Sequence, residues 1–77
     1  TYFTLYPNPA KDILNLEVKN EIGVKSVSVY NTLGQIVMAI TNIDNLKSID
    51  VSSLTAGSYF VKVYTDKGSS SSKFIKQ

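Results

Sequence analysis

The sequence predicts an all-β domain, folded as an antiparallel β-sandwich of about seven short strands. Apolar and polar residues alternate along most of the chain, which is the two-residue period of a half-buried strand. No segment keeps helical spacing over three turns. Short linkers rich in glycine, proline, asparagine or serine separate the alternating segments, as in folds made of two packed sheets.

The predicted strands follow one another along the whole chain. Leu14, Leu16 and Val18 alternate with polar residues most clearly, and the run at residues 36–40 is the most apolar. In chain order the predicted strands cover residues 2–5, 14–18, 26–29, 36–40, 46–51, 59–64 and 72–76.

The linkers contain the residues that turns need. Gly34 and Gly68 each end a short polar linker, where a left-handed residue closes a hairpin at little steric cost. In Tyr6-Pro7-Asn8-Pro9, each proline biases the residue before it toward extended geometry and lacks an N–H for a sheet. We therefore expect residues 6–9 to run along a sheet edge or outside the sheet.

Leu54, Gly57 and Tyr59 form a Leu-x-x-Gly-x-Tyr pattern that leads into an alternating strand. This pattern resembles the tyrosine corner of immunoglobulin-like sandwiches, in which the tyrosine hydroxyl bonds a backbone group a few residues upstream. Tyr59 is thus expected to be structural. We expect Tyr59→Phe to cost little stability and Tyr59→Ala about 3 kcal/mol or more.

Length and composition exclude several classes of protein. The chain has 77 residues, enough for one small domain, and it lacks cysteine, so apolar packing must supply its stability. All eight basic residues are lysine, which argues against nucleic acid because the bidentate arginine fork is missing. The longest apolar run has five residues, far short of a membrane span. Because it begins with Thr1, the chain is expected to be an excerpt of a longer polypeptide.

Catalytic and metal-binding patterns are weak. Without histidine or cysteine, the common nucleophile and base arrangements cannot be built. Asp12 and Asp50 are favoured as turn or edge residues over a catalytic pair. Asn42, Asp44 and Asn45 have oxygen ligands but lack the spacing of a calcium loop, so an exposed turn is favoured. We predict no catalytic residue, no metal site and no cofactor.

Three further features have weaker sequence signals. Tyr2, Tyr6, Tyr30 and Tyr64 lie near predicted strand ends, where they either cap the core or form a sugar-stacking platform, and capping is favoured. The serines at residues 69–72 predict a mobile hairpin extension. An open sheet edge would also allow weak self-association.

Four segments together resemble the C-terminal sorting domain, type A-like, of type IX (Por) secretion cargo. They are Tyr6-Pro7-Asn8-Pro9, the segment Tyr30-Asn31-Thr32-Leu33-Gly34, the segment Leu54-Thr55-Ala56-Gly57-Ser58-Tyr59, and the closing Lys73-Phe74-Ile75-Lys76-Gln77. The resemblance covers nearly the whole chain. Asn31 and Gln35 depart from the family, which often has aspartate and a basic residue there.

The resemblance implies a single domain, residues 1–77, that acts as a secretion signal and not as an enzyme. The cargo would reach the periplasm of a Bacteroidota cell by a separate signal peptide. Outer-membrane secretion machinery would then move it to the cell surface or the medium, and a surface sortase would remove the domain and attach the cargo to the surface. The implied recognition residues form the terminal strand: Lys73, Phe74, Ile75, Lys76 and Gln77.

An edge strand protected by lysine, without any role in recognition, is the physical alternative for these residues. The alternative function is an immunoglobulin-like accessory domain that binds carbohydrate or spaces an enzyme from the surface.

Overall fold

A computed structural model describes residues 3–18, 23–41 and 46–77 and confirms the all-β class. Seven strands lie in these residues. They are β1 (Phe3–Tyr6), β2 (Ile13–Val18), β3 (Val24–Asn31), β4 (Ile36–Ile40), β5 (Ser48–Asp50), β6 (Gly57–Thr65) and β7 (Gly68–Lys76).

The strands form two antiparallel sheets. The three-stranded sheet has the order β1-β2-β5, and the four-stranded sheet has the order β4-β3-β6-β7. Leu14 pairs with Ile49 in the first sheet, and Val61 pairs with both Val29 and Ser72 in the second. β7 therefore lies at one edge of the four-stranded sheet and β4 at the other.

The core lies between the two sheets, because alternate residues of each strand point inward. Every fully buried strand residue is one of the apolar residues that alternate with more exposed residues along its strand. The buried apolar residues are Phe3, Ala10, Leu14, Leu16, Val27, Val29, Ile49, Val51, Tyr59, Val61, Val63 and Phe74. No buried side-chain nitrogen or oxygen in the described residues lacks a hydrogen-bond partner.

Both predicted hairpins are present. Gly34 has a φ of 84° in the β3–β4 turn, and Gly68 has a φ of 125° where it pairs with Thr65 across the β6–β7 turn. Each conformation disfavours residues that carry a Cβ atom. Within the β3–β4 turn, the N–H of Gly34 donates to the carbonyl of Asn31 at 3.0 Å.

The serines at residues 69–72 extend the β6–β7 hairpin, as predicted, and they do so as paired strand residues. Ser69 pairs with Tyr64 and Ser72 pairs with Val61, so β7 is as long as β6, at nine residues each. The reason is that pairing with a long neighbouring strand outweighs the weak strand preference of serine.

None of the described residues forms a helix long and apolar enough to cross a membrane.

Candidate functional site

The terminal strand β7 divides the predicted recognition residues between two faces. Phe74 is fully buried and Lys76 is 8% exposed, whereas Lys73, Ile75 and Gln77 are exposed. The expectation of an exposed terminal strand is therefore wrong for Phe74 and Lys76. Strand alternation is the reason, since neighbouring side chains must point to opposite faces of the sheet.

The inward half of β7 is locked into the core by an aromatic pair. The rings of Phe74 and Tyr59 stack with centroids 5.6 Å apart at 23°. The hydroxyl of Tyr59 donates to the carbonyl of Thr55 at 2.7 Å, which is the bond of a tyrosine corner. Leu54 packs against the core beside it, and Gly57 begins β6.

Lys76 is buried, and its ammonium group reaches a polar partner beside the strand. Its Nζ donates to the main-chain oxygen of Gln77 at 2.8 Å. A lysine can bury its hydrocarbon stem while its charged end reaches a polar partner at the surface. The inward side chains of β7 thus serve packing and are hidden from a partner.

The outer edge of β7 is covered by residues 8–10. The N–H of Ala10 donates to the carbonyl of Ile75 at 2.8 Å, and the N–H of Gln77 donates to the carbonyl of Ala10 at 2.8 Å. The side chain of Asn8 continues this pairing, because its Oδ1 accepts from the N–H of Ile75 at 3.0 Å. Its Nδ2 approaches the carbonyl of Lys73 at 3.5 Å.

This arrangement places the segment at residues 6–9 against the segment at residues 73–77. The Asn8 carboxamide replaces a peptide group in the pairing, and Ala10 forms a parallel bridge with Lys76. Tyr6 ends β1, and the peptide bonds before Pro7 and Pro9 are both cis. The expectation that residues 6–9 run along an edge or outside the sheet is confirmed for residues 7–9, which lie outside both sheets with Asn8 at the edge of β7, whereas Tyr6 pairs with Asn15 as the last residue of β1.

Asn31 and Gln35, the two residues that depart from the family pattern, contact each other. Asn31 Nδ2 donates to Gln35 Oε1 at 2.9 Å, while Asn31 Oδ1 accepts from the N–H groups of Leu33 and Gln35, each at 3.0 Å. The two amides together stabilise the β3–β4 hairpin.

The outward side of the four-stranded sheet carries aromatic, apolar and lysine side chains, and we call it the basic face. The hydroxyls of Tyr30 and Tyr64 are 3.0 Å apart, and this hydrogen bond raises the pKa of Tyr30. Lys62 Nζ lies 5.3 Å from the ring centroid of Tyr64. The strand registers place on this face Ser26, Ser28, Tyr30, Ile36, Ala39, Ser58, Phe60, Lys62, Tyr64, Ser69, Ser71, Lys73 and Ile75.

The outward side of the three-stranded sheet has the opposite charge, and we call it the acidic face. Its strands place there Thr4, Tyr6, Ile13, Asn15, Glu17, Ser48 and Asp50. Asp50 Oδ1 accepts from the Ser52 hydroxyl at 2.6 Å and from the Ser52 N–H at 3.0 Å. These two bonds, the hydroxyl one first, lower the pKa of Asp50.

The remaining candidates for chemistry have structural roles or lie outside the described residues. Asp50 binds Ser52, and the carbonyl of Asp12 accepts from the N–H of Val51 at 2.8 Å. Tyr2 lies outside the described residues, and so do Asn42, Asp44 and Asn45. In the ranges that are described, no three histidine, cysteine, aspartate or glutamate residues group into a metal site.

Sequence reasoning missed Ala10, Phe60 and Lys62. Phe60 and Lys62 alternate with buried residues of β6, which was visible in the sequence, but their alignment with Lys73 and Ser71 required the register of β7. No local signal identified Ala10, because its partners lie at the other end of the chain.

The fold and the pairing of residues 8–10 with β7 define the class of protein. It is a small β-sandwich whose last strand is held in place by a segment near the start of the sequence. The family model of the secretion system C-terminal sorting domain matches residues 4–77, and the chain belongs to this family. A similar protein is Beta-agarase A of Zobellia galactanivorans, which is 37% identical over 60 residues, or 77% of this chain. The match spans only 11% of that relative's length.

Membership gives the general function. The domain is a C-terminal sorting signal of type IX secretion, a system typical of Bacteroidota, and it is not catalytic. It implies interaction with the secretion machinery and export across the outer membrane, to the cell surface or the medium.

Proposed function

We propose that the folded domain, residues 1–77, directs a larger cargo protein through the type IX machinery by presenting its terminal strand. Lys73, Ile75 and Gln77 are the residues that contact the machinery, while Phe74 and Lys76 hold the strand in position. The observation that carries this proposal is the division of β7 into a buried half and an exposed half beside a covered edge.

The later steps concern the cargo. A surface sortase removes the domain after export and attaches the cargo to the cell surface. The cargo is an enzyme in this proposal, for which the similarity to Beta-agarase A is the support. The sorting domain itself needs no cofactor for these steps, because recognition depends on its shape and its exposed side chains.

The first test is secretion of a fluorescent reporter that carries an N-terminal export signal and residues 1–77 at its C-terminus. We expect fluorescence outside the cell only in a host with working type IX machinery. A reporter that remains in the periplasm of both hosts would show that the domain is insufficient as a signal.

A second reporter separates recognition from folding. The triple variant Lys73→Ser, Ile75→Ser and Gln77→Ser keeps Phe74, Lys76 and every main-chain bond to residues 8–10. We expect it to be folded and retained in the periplasm. Secretion at the wild-type level would show that these three side chains are not recognised.

Carbohydrate binding is the second candidate function, because Tyr30, Phe60 and Tyr64 share one outward face. The position of Lys62 argues against a stacking platform, because its Nζ lies over the ring of Tyr64, 5.3 Å from the centroid, on a face that a sugar would contact. Sedimentation of the purified fusion with insoluble agarose tests this function, and the same fusion with Tyr30→Ala and Tyr64→Ala is the control.

A further inference from the structure

The covered edge of β7 restricts how a partner can recognise the terminal strand. An added strand along residues 73–77 would need the main-chain groups of Ile75 and Gln77, which already bind Ala10 and Asn8. Backbone groups that are already hydrogen-bonded gain little from exchanging one partner for another. Recognition through side chains on the sheet face requires no such exchange.

The exposed side chains of the terminal strand continue into the basic face. Lys73 pairs directly with Phe60 on β6, and Phe60 pairs with Tyr30 on β3, which pairs in turn with Ile36 on β4. Phe60 is 38% exposed, Ile75 44% and Ile36 58%. A row of large side chains thus crosses the whole sheet from the terminal strand to the opposite edge.

The charge of this face determines which partner it fits. Lys62 and Lys73 lie on it, and the described residues assigned to it by register include no aspartate or glutamate. Between Lys62, Phe60 and Tyr30 lies a shallow depression that Ser71 and Asn31 also line. Lysines around exposed aromatic side chains complement a protein surface that combines carboxylates with apolar groups.

We propose that the basic face, and not the edge of β7, docks an acidic, partly apolar protein surface of the secretion machinery, with Phe60 and Lys62 as contact residues. This inference rests on the proposed function and extends the recognition site from β7 to β6. Fixed lysines opposite carboxylates would orient the domain, while Phe60 and Ile75 would supply apolar contact.

The test uses the secreted reporter with changes confined to β6. The variant Phe60→Ser with Lys62→Glu alters the basic face and leaves the terminal strand intact. Its matched control, Ile13→Ser with Lys47→Glu, makes similar changes at exposed positions outside that face, where Ile13 is 45% exposed. Hydrogen exchange of β6 and β7 peptides in the purified fusions verifies that each variant is folded. If the Lys62→Glu change disrupts β6, the double variant Phe60→Thr with Lys62→Gln is tested in place of the first one.

We expect the β6 variant to lower secretion at least about tenfold, because charge reversal sets like charges against each other. We expect the control and Lys62→Arg to be secreted like the wild type. If a folded β6 variant is secreted as well as the control, the inference is overturned. The proposed function is tested separately, by the triple variant of the terminal strand.

Two other outcomes would also overturn the inference. If the wild-type reporter is not secreted, the proposed function fails and the inference fails with it. If secretion of the β6 variant is normal but the purified fusion loses binding to alginate, the basic face binds an acidic polysaccharide and not a protein.

Discussion

The two outward faces of the sandwich differ far more than its two inward faces. Both inward faces are built from closely packed apolar residues, such as Leu14 on one sheet and Phe74 on the other. The outward faces carry opposite charge, with Glu17 and Asp50 on the acidic face and lysines on the basic face. Folding constrains the inward residues, so the difference outside is where selection for recognition can act.

The largest effects should come from the inward faces and should be alike on the two sheets. Leu14→Ala and Phe74→Ala each remove a fully buried side chain, and we expect losses of about 2–5 and 3–5 kcal/mol in the free energy of unfolding. Urea unfolding measures both. The exposed pair Ile13→Ala and Ile75→Ala is the control, with losses below about 1.5 kcal/mol. A loss below about 1 kcal/mol for only one core variant would mean that the inward faces are not equivalent.

A smaller effect should distinguish an asparagine that covers β7 from one in the three-stranded sheet. Asn8→Ala removes the acceptor of the Ile75 N–H, and we expect a loss of about 1 kcal/mol in stability and about fivefold faster exchange of the Ile75 amide proton.

The control for this variant is Asn15→Ala. The side chain of Asn15 donates to the carbonyl of Tyr6 at 3.1 Å, within the other sheet. Its loss should leave exchange of the Ile75 amide unchanged. Equal exchange at Ile75 in both variants would show that Asn8 does not protect the terminal strand.

The smallest predicted effect is a change in the pKa of Asp50, which lies on the acidic face. The Ser52 hydroxyl and N–H lower the pKa of Asp50 in the folded state. The ionised Asp50 carboxylate therefore contributes its full stabilisation at pH values above the unfolded-state pKa of about 3.9, and this stabilisation is lost as the pH falls through the lower folded-state pKa. Ser52→Ala removes the stronger bond and should raise this pKa part of the way back. NMR titration of the Asp50 carboxyl carbon measures the shift, with Ser53→Ala as the control. An ordinary pKa in the wild type would contradict this assignment.

The fold was largely predictable, because alternation and turn residues are local properties of the sequence. Gly34 and Tyr59 identified a hairpin and a corner that the structure contains. The fifth strand is shorter than predicted, at Ser48–Asp50, and the seventh is longer because β6 pairs with its serines. Strand ends depend on the neighbouring strand, which local composition does not encode.

The candidate site was less predictable. Asn8 and Ile75 are 67 residues apart, and neither residue type favours a contact with the other. The lysines of the basic face were visible in the sequence, but their separation from Glu17 and Asp50 follows from the assignment of strands to two sheets. Side-chain direction at Phe74 and Lys76 likewise depended on the register with β6.

The contact between residues 8–10 and the terminal strand makes completion of the fold depend on synthesis of residues 75–77. Synthesis proceeds from the N-terminus, so Asn8 and Ala10 leave the ribosome long before Ile75 and Gln77, their partners, exist. A truncated product would lack these partners and the aromatic ring of Phe74 as well. Closure of this contact therefore requires that synthesis has passed Gln77, and an export system that accepts only the closed form would reject cargo truncated before that residue.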